Sequence, residues 1–190
     1  MSLSEAIRHR RRRFKILAKL RMRLCPMSLT FKAPPRISPA QFSRVLEQGG
    51  SPAAPLAGEL YQIILEYGLD PAIVLAFFAY ESQLGNASVS RELNTRSWAS
   101  PYSAYDQRRV IEVVHTPSGD FVRFASWQQG LRDWCERILQ RYIERWSLDS
   151  VERVIARYVP SPDGRVEQLY FSAISRMVRL WQSEDQSAAG

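Results

Sequence analysis

The chain has 190 residues, 45% of them hydrophobic and 11% aromatic, which is enough for one well-buried core and short for two. Its formal net charge of +7 is not spread evenly: residues 1–26 hold nine Lys/Arg against Glu5 alone, so the remainder is close to neutral. That distribution argues against nucleic-acid binding by the folded body, and no apolar run reaches the length of a membrane span.

The two cysteines, Cys25 and Cys135, offer neither a metal spacing nor a disulfide framework and read as free thiols. The amino-terminal charge is not followed by a hydrophobic stretch, so it lacks the form of a secretory signal and leaves localisation and export route open. Arg8 to Arg23 has the composition of a cationic helix with Phe14, Leu17, Leu20 and Leu24 near one face, suited to anionic lipid, nucleic acid or an anionic wall polymer. Such runs are more often solvated tails, so residues 1–33 are read as a basic, disordered tail. A third reading is that residues 1–26 are not native sequence, since Met27 would serve well as a start.

The folded domain is expected over residues 34–182. Ser38-Pro39-Ala-Gln41 is a capping box that opens a short helix through Phe42, Val45 and Leu46 and stops at Gly49-Gly50. A second helix is expected from about Pro55 to Tyr67, ended by Gly68. Asp70-Pro71 then reads as an N-cap with proline at the first helical position, followed by an almost wholly apolar run to Tyr80, with Gly85 as the stop.

Glu81 falls in the last turn of that buried helix, where a carboxylate is costly. Desolvation and the negative end of the helix dipole both disfavour its charge, so its pKa should rise and it could hold a proton near neutrality. A carboxyl that keeps its proton is what a general acid requires. The plain alternative is a solvated side chain at a helix end, continued by Ser82 and Gln83.

Residues 86–107 lose periodicity and collect Asn, Ser, Tyr and Trp, the pattern of a long functional loop. Val110 to His115 and Phe121 to Phe124 flank a turn and read as a hairpin, the only sheet expected. Ser126-Trp-Gln-Gln129 is another capping box, opening a helix with Leu131, Trp134, Cys135, Ile138, Leu139, Tyr142, Ile143 and Trp146 toward the core. Asp149 to Glu152 caps a shorter helix ending near Tyr158. The last helix buries a stripe from Val166 and Leu169 through Tyr170, Ile174 and Val178 to Trp181, and residues 183–190 should fray. The fold class is therefore mainly α with one small hairpin.

Specific strings sharpen this layout. Tyr67-Gly-Leu-Asp-Pro-Ala-Ile-Val-Leu-Ala-Phe-Phe-Ala-Tyr-Glu-Ser-Gln-Leu-Gly85 resembles the bacterial endo-β-N-acetylglucosaminidase domain of glycoside hydrolase family 73, in the lysozyme superfamily. The likeness extends to Asn94-Thr-Arg96, to Phe124-Ala-Ser-Trp127 with Gly130 and Asp133, and to Tyr158-Val-Pro-Ser-Pro-Asp163, covering about Ile37 to Trp181. One departure is Leu93, where the family pattern usually has glycine.

The resemblance implies a lysozyme-like fold and peptidoglycan glycan strands as partner, with Glu81 protonating the departing glycosidic oxygen. A second carboxylate is not assigned; Asp106 is a loop candidate and equally a turn residue. Some superfamily members work with one carboxyl and use the sugar's own acetamido group or a hydroxyl as nucleophile. Tyr80, Trp98, Tyr102, Tyr105 and Trp127 offer flat faces for sugar rings, and Ser82, Asn94 and Arg96 offer polar contacts, although Tyr80 could be core, Trp127 a helix anchor and Arg96 a loop brace. Asp163 reads as a turn or helix cap. No cofactor and no metal are implied, His9 and His115 being surface residues in this reading, and the protein is expected to be a monomer. Two readings stay open beside the hydrolase: a non-catalytic glycan-binding module on the same fold, and a lytic transglycosylase that leaves anhydro ends.

Overall fold

The computed structural model describes residues 29–99, 104–117 and 119–188. The basic segment with His9 and Cys25, the aromatic residue Tyr102 and the last two residues lie outside them. Expectations for the tail as helix or disordered chain therefore fall outside the described residues.

In chain order the elements are α1 (Pro39–Gln48), a 3-10 turn (Ala54–Leu56), α2 (Ala57–Glu66), α3 (Pro71–Ser82) and the short α4 (Ser88–Glu92). A second 3-10 turn (Gln107–Arg109) leads into β1 (Val110–Thr116) and β2 (Gly119–Phe124). The chain closes with α5 (Trp127–Glu136), continued by a π-helical segment (Arg137–Glu144), then α6 (Val151–Tyr158) and α7 (Arg165–Ala188). The architecture is mainly α with one antiparallel hairpin, as the sequence pattern implied. The hairpin pairs Val114 with Phe121 and slips register between Val110 and Glu112.

Helix α3 is the centre of the fold because its sequence offers no polar face. From Pro71 to Phe78 every residue is buried, and α1, α2 and α7 pack around it. Phe77 meets the rings of Phe31, Trp134, Tyr158 and Tyr170, and Phe78 stacks on Trp98 at 4.0 Å. No single described helix is long and apolar enough to cross a membrane. The segments Ala54–Glu66 and Pro71–Ser82 reach that composition only together and are bent by 118°. The apolarity of α3 is accounted for by its enclosure among the other helices.

The caps account for most helix starts. Ser38 Oγ accepts from the Gln41 backbone N–H, Ser126 Oγ from that of Gln129, and Asp70 from that of Ala72. The expected capping box at Ser38 is only half formed. Gln41 turns its amide to Glu184, while the Ser38 backbone N–H and hydroxyl both donate to Asp185, at 2.7 and 2.5 Å. Helix α7 is held at its far end by these contacts and stays helical to Ala188, instead of fraying from 183.

Four further expectations are corrected. The fold begins by Leu29, not at 34: Leu29 and Phe31 are fully buried, and Val151 N–H donates to Leu29 O while Asp70 N–H donates to Phe31 O. The cap of α6 is Ser150, whose hydroxyl accepts from Arg153 N–H, with Asp149 one residue too early. Val166 and Leu169 are exposed, because the inward stripe of α7 begins only at Tyr170. Helix α3 ends at left-handed Gln83, two residues before the expected stop, with Leu84 and Gly85 also at positive φ.

Asp70 joins three parts of the chain. Fully buried, it caps α3, ion-pairs with the Arg36 guanidinium and accepts from the Arg36 backbone N–H. Burial raises its pKa, and the Arg36 contacts oppose that rise. Replacing it with alanine removes a cap and strands a part-buried guanidinium. Asp70→Ala should therefore cost about 3–5 kcal/mol, read as the change in unfolding free energy from denaturant titration, and a loss below about 1 kcal/mol would contradict this account.

Candidate active site

Glu81 sits in the last turn of α3, half-buried. Its one hydrogen bond among the described residues comes from the Tyr170 hydroxyl of α7, which donates to Oε1 at 2.5 Å. Burial raises its pKa, and the Tyr170 bond is the only influence against that rise. None of the ion pairs formed among the described residues involves Glu81. The site therefore disfavours the charged form more than water does, by the desolvation the sequence suggested.

The turn after α3 holds this carboxyl in place. Ser82 Oγ donates to Phe78 O and accepts from Gly85 N–H, at 2.9 and 3.0 Å, so this buried hydroxyl closes the helix end and is not a substrate contact. Gly85 is needed for space as well as for its positive φ: a Cβ there would come within 2.7 Å of the Trp127 ring. Trp127 is thereby confirmed as an anchor at a helix start.

Three tyrosines gather around Glu81. Tyr80 is 42% exposed with its ring centroid 4.0 Å from that of Tyr170, the residue that bonds Glu81. Tyr170 itself is buried, and its phenol pKa is driven far upward by burial and then by the Glu81 charge. The Tyr158 hydroxyl is buried too, with its pKa raised by burial and next by Glu81. It makes no hydrogen bond among the described residues: the Trp134 indole N–H lies near enough to influence it but outside bonding geometry. The buried phenol is thus left without a matched partner among the described residues.

Of the other residues singled out from the sequence, several prove structural. Trp98 is fully buried, stacked on Phe78 and donating its indole N–H to Val74 O at 3.0 Å, so it is core and not a sugar platform. Arg96, at φ 51°, donates to the Phe124 and Ala125 carbonyls and braces the loop against the end of the hairpin. Gly130 lets α5 lie on that loop, since a Cβ would meet Arg96 O at 2.0 Å. Asn94 is exposed at φ 49° and makes no side-chain bond among the described residues. Leu93 has φ −87°, an ordinary right-handed value, so the position where glycine is usual does not demand one here.

Tyr105 belongs to a different cluster. Its N–H donates to the buried Asp133 carboxylate and its hydroxyl to Gln140 Oε1 at 3.0 Å. Tyr102 lies outside the described residues. Asp106 resolves as a turn residue: it accepts from the Arg108 backbone and guanidinium, which hold its pKa down to about 2. A carboxylate so strongly held in its charged form is a poor proton shuttle. Asp163 accepts from Arg165 N–H at the start of α7, as a cap, and His115 is an exposed surface residue paired with Asp120.

Sequence reading did not single out Tyr170 and Tyr158 as site residues. Tyr158 lay in one of the family-like strings, a usable signal. Tyr170 sat in an apolar stripe that gave it no distinction from core.

Compared with family models, with curated proteins and with solved structures, the chain matches none.

The raised pKa of Glu81 has a stability consequence. Between the ordinary carboxyl pKa and its raised value the folded state holds a proton that the unfolded chain releases, so stability falls as pH rises through that window. Glu81→Gln can still accept from Tyr170 and carries no charge. Its thermal midpoint should exceed that of the native chain by a margin that opens as pH rises above the ordinary carboxyl range. Melting curves across that range check it, and a margin that shrinks toward high pH would contradict the burial argument.

Proposed function

We propose that this chain cleaves the glycan strand of peptidoglycan as a β-N-acetylglucosaminidase-type glycosidase, with Glu81 as general acid. The observation that carries the reading is a half-buried carboxyl at the end of an apolar helix, with a raised pKa and no basic partner among the described residues. Such a group can protonate a departing glycosidic oxygen near neutral pH. The exposed Tyr80 ring supports it as a stacking face for a sugar.

The family-like strings support the substrate class, and the fates of their residues fit a common plan. Gly130 and Asp133 fix the loop and the approach to the hairpin, while Tyr158 lies within electrostatic reach of Glu81. Asp106, the one second carboxylate considered, is engaged by Arg108. That favours a one-carboxyl mechanism, in which the acetamido oxygen or a hydroxyl of the sugar attacks the anomeric carbon as Glu81 hands its proton to the leaving oxygen. An acetamido nucleophile ends in a hydrolysed sugar, and a hydroxyl nucleophile ends in an anhydro sugar. Mass analysis of the released muropeptides separates the two.

Glu81→Gln should reduce muropeptide release from purified wall by about 10²–10⁴-fold while leaving wall binding intact. Binding with no release by the native chain would instead identify a glycan-binding module. The acid must be protonated to act, so the rate should fall as pH rises past the raised pKa of Glu81. The Tyr170 bond lowers that pKa, so Tyr170→Phe should shift the alkaline limb of the pH–rate profile upward; a downward shift would refute the assigned role of Glu81.

A further inference from the structure

The π-helical segment and its cap residue Arg145 carry a feature that the Glu81 reading does not use. Arg137, Arg141 and Arg145 recur at four-residue spacing, close to one turn, and line one side of a cavity of ≈ 460 Å³ together with Tyr105, Gln140 and Trp146. Departures from α-helical winding of this kind occur often at functional sites.

Two of the arginines that line this groove, Arg141 and Arg145, form no ion pair among the described residues. Arg141 and Arg157 both lie against the Trp146 indole, their guanidinium carbons 5.1 and 4.8 Å from the ring centroid. No ion pair forms between Arg141, Arg145 or Arg157 and a carboxylate among the described residues. The neighbouring carboxylate, Asp133, lies 3.6 Å from Arg137 and already accepts from the backbone N–H groups of Tyr105 and Asp106. Glu136, next along the helix, is taken up by Arg109 and the Tyr67 hydroxyl. Arg141 and Arg145 both line the cavity without a carboxylate partner among the described residues, and an anion bound there would offset their mutual repulsion.

The hydrogen-bonding groups point to the same ligand. Gln140 Oε1 is occupied by the Tyr105 hydroxyl, so its amide N–H₂ is left to donate. The arginines present planar forks matched to carboxylate or phosphate oxygens. We propose that this groove binds a multiply charged oxyanion, either a phosphate ester or clustered carboxylates. The inference is independent of Glu81 and of any glycan cleavage.

The test uses the full chain and a local reporter, because the basic residues 8–23 also attract anions. In nitrogen-labelled protein, the Trp146 indole N–H resonance, assigned by its loss in Trp146→Phe, is followed during titration with pyrophosphate and, separately, with tricarballylate. A saturable shift with either probe is expected, and the probe that binds more tightly identifies phosphate or carboxylate as the preferred group. Arg145→Gln, which leaves the Trp146 contacts in place, should weaken that affinity at least fivefold, and Arg141→Gln/Arg145→Gln further. Arg91→Gln/Arg176→Gln, at exposed positions elsewhere, should leave it unchanged. No saturable shift with either probe, or equal affinity in Arg145→Gln, overturns the proposal.

Discussion

Every other arrangement in this fold follows from enclosing one helix that has no polar side. An amphipathic helix needs cover on a single face, but from Pro71 to Phe78 all positions of α3 are buried, so helices must approach from several directions. Charge can then enter only at the two ends. At the amino end Asp70 meets Arg36 and the first turn's N–H groups, which suit an anion. At the carboxyl end Glu81 meets the opposite pole of the helix and a phenol. The same side-chain chemistry thus occupies two buried ends with different partners, one with a cation supplied and one without.

Four carboxyl groups show how environment sorts them. Asp106 is held ionised by Arg108, and Asp70 has burial opposed by an ion pair. Asp133 is buried and anchors two backbone N–H groups. Of the four, Glu81 is the one whose burial is opposed only by a neutral hydrogen-bond donor. The Cys135 thiol illustrates the inert extreme: fully buried and pushed far up in pKa, it has no route to thiolate chemistry.

Among its described residues, the loop that looked most functional in sequence is largely a fastening device. Thr95 O accepts from Phe124 N–H, Leu93 O from the Arg123 guanidinium, and Arg96 returns two bonds to the end of the hairpin. Trp98 then plugs the loop into the core against Phe78. Aromatic and polar residues in an aperiodic stretch indicate specific contacts, but the contacts here are mostly made within the protein. Tyr105 follows the same rule, its N–H donating to Asp133 and its hydroxyl to Gln140.

The sequence by itself determined the boundaries of α1, α2, α3 and α6 to within a few residues, the hairpin, the caps at Ser38, Asp70 and Ser126, and the placing of Glu81 at the end of a buried helix, but it read residues 86–107 as loop where the short α4 (Ser88–Glu92) forms. These are local matters, set by periodicity and by side chains that bond to backbone a few residues away. The tertiary structure alone decided that Tyr170, 89 residues from Glu81, would be its partner, that Trp98 would be core, and that three arginines would share a groove with Tyr105. It also drew Leu29 and Phe31 into the fold and extended α7 to Ala188. Those outcomes depend on which faces of distant elements meet. Periodicity marks a face as apolar or polar but carries no information about what will lie against it.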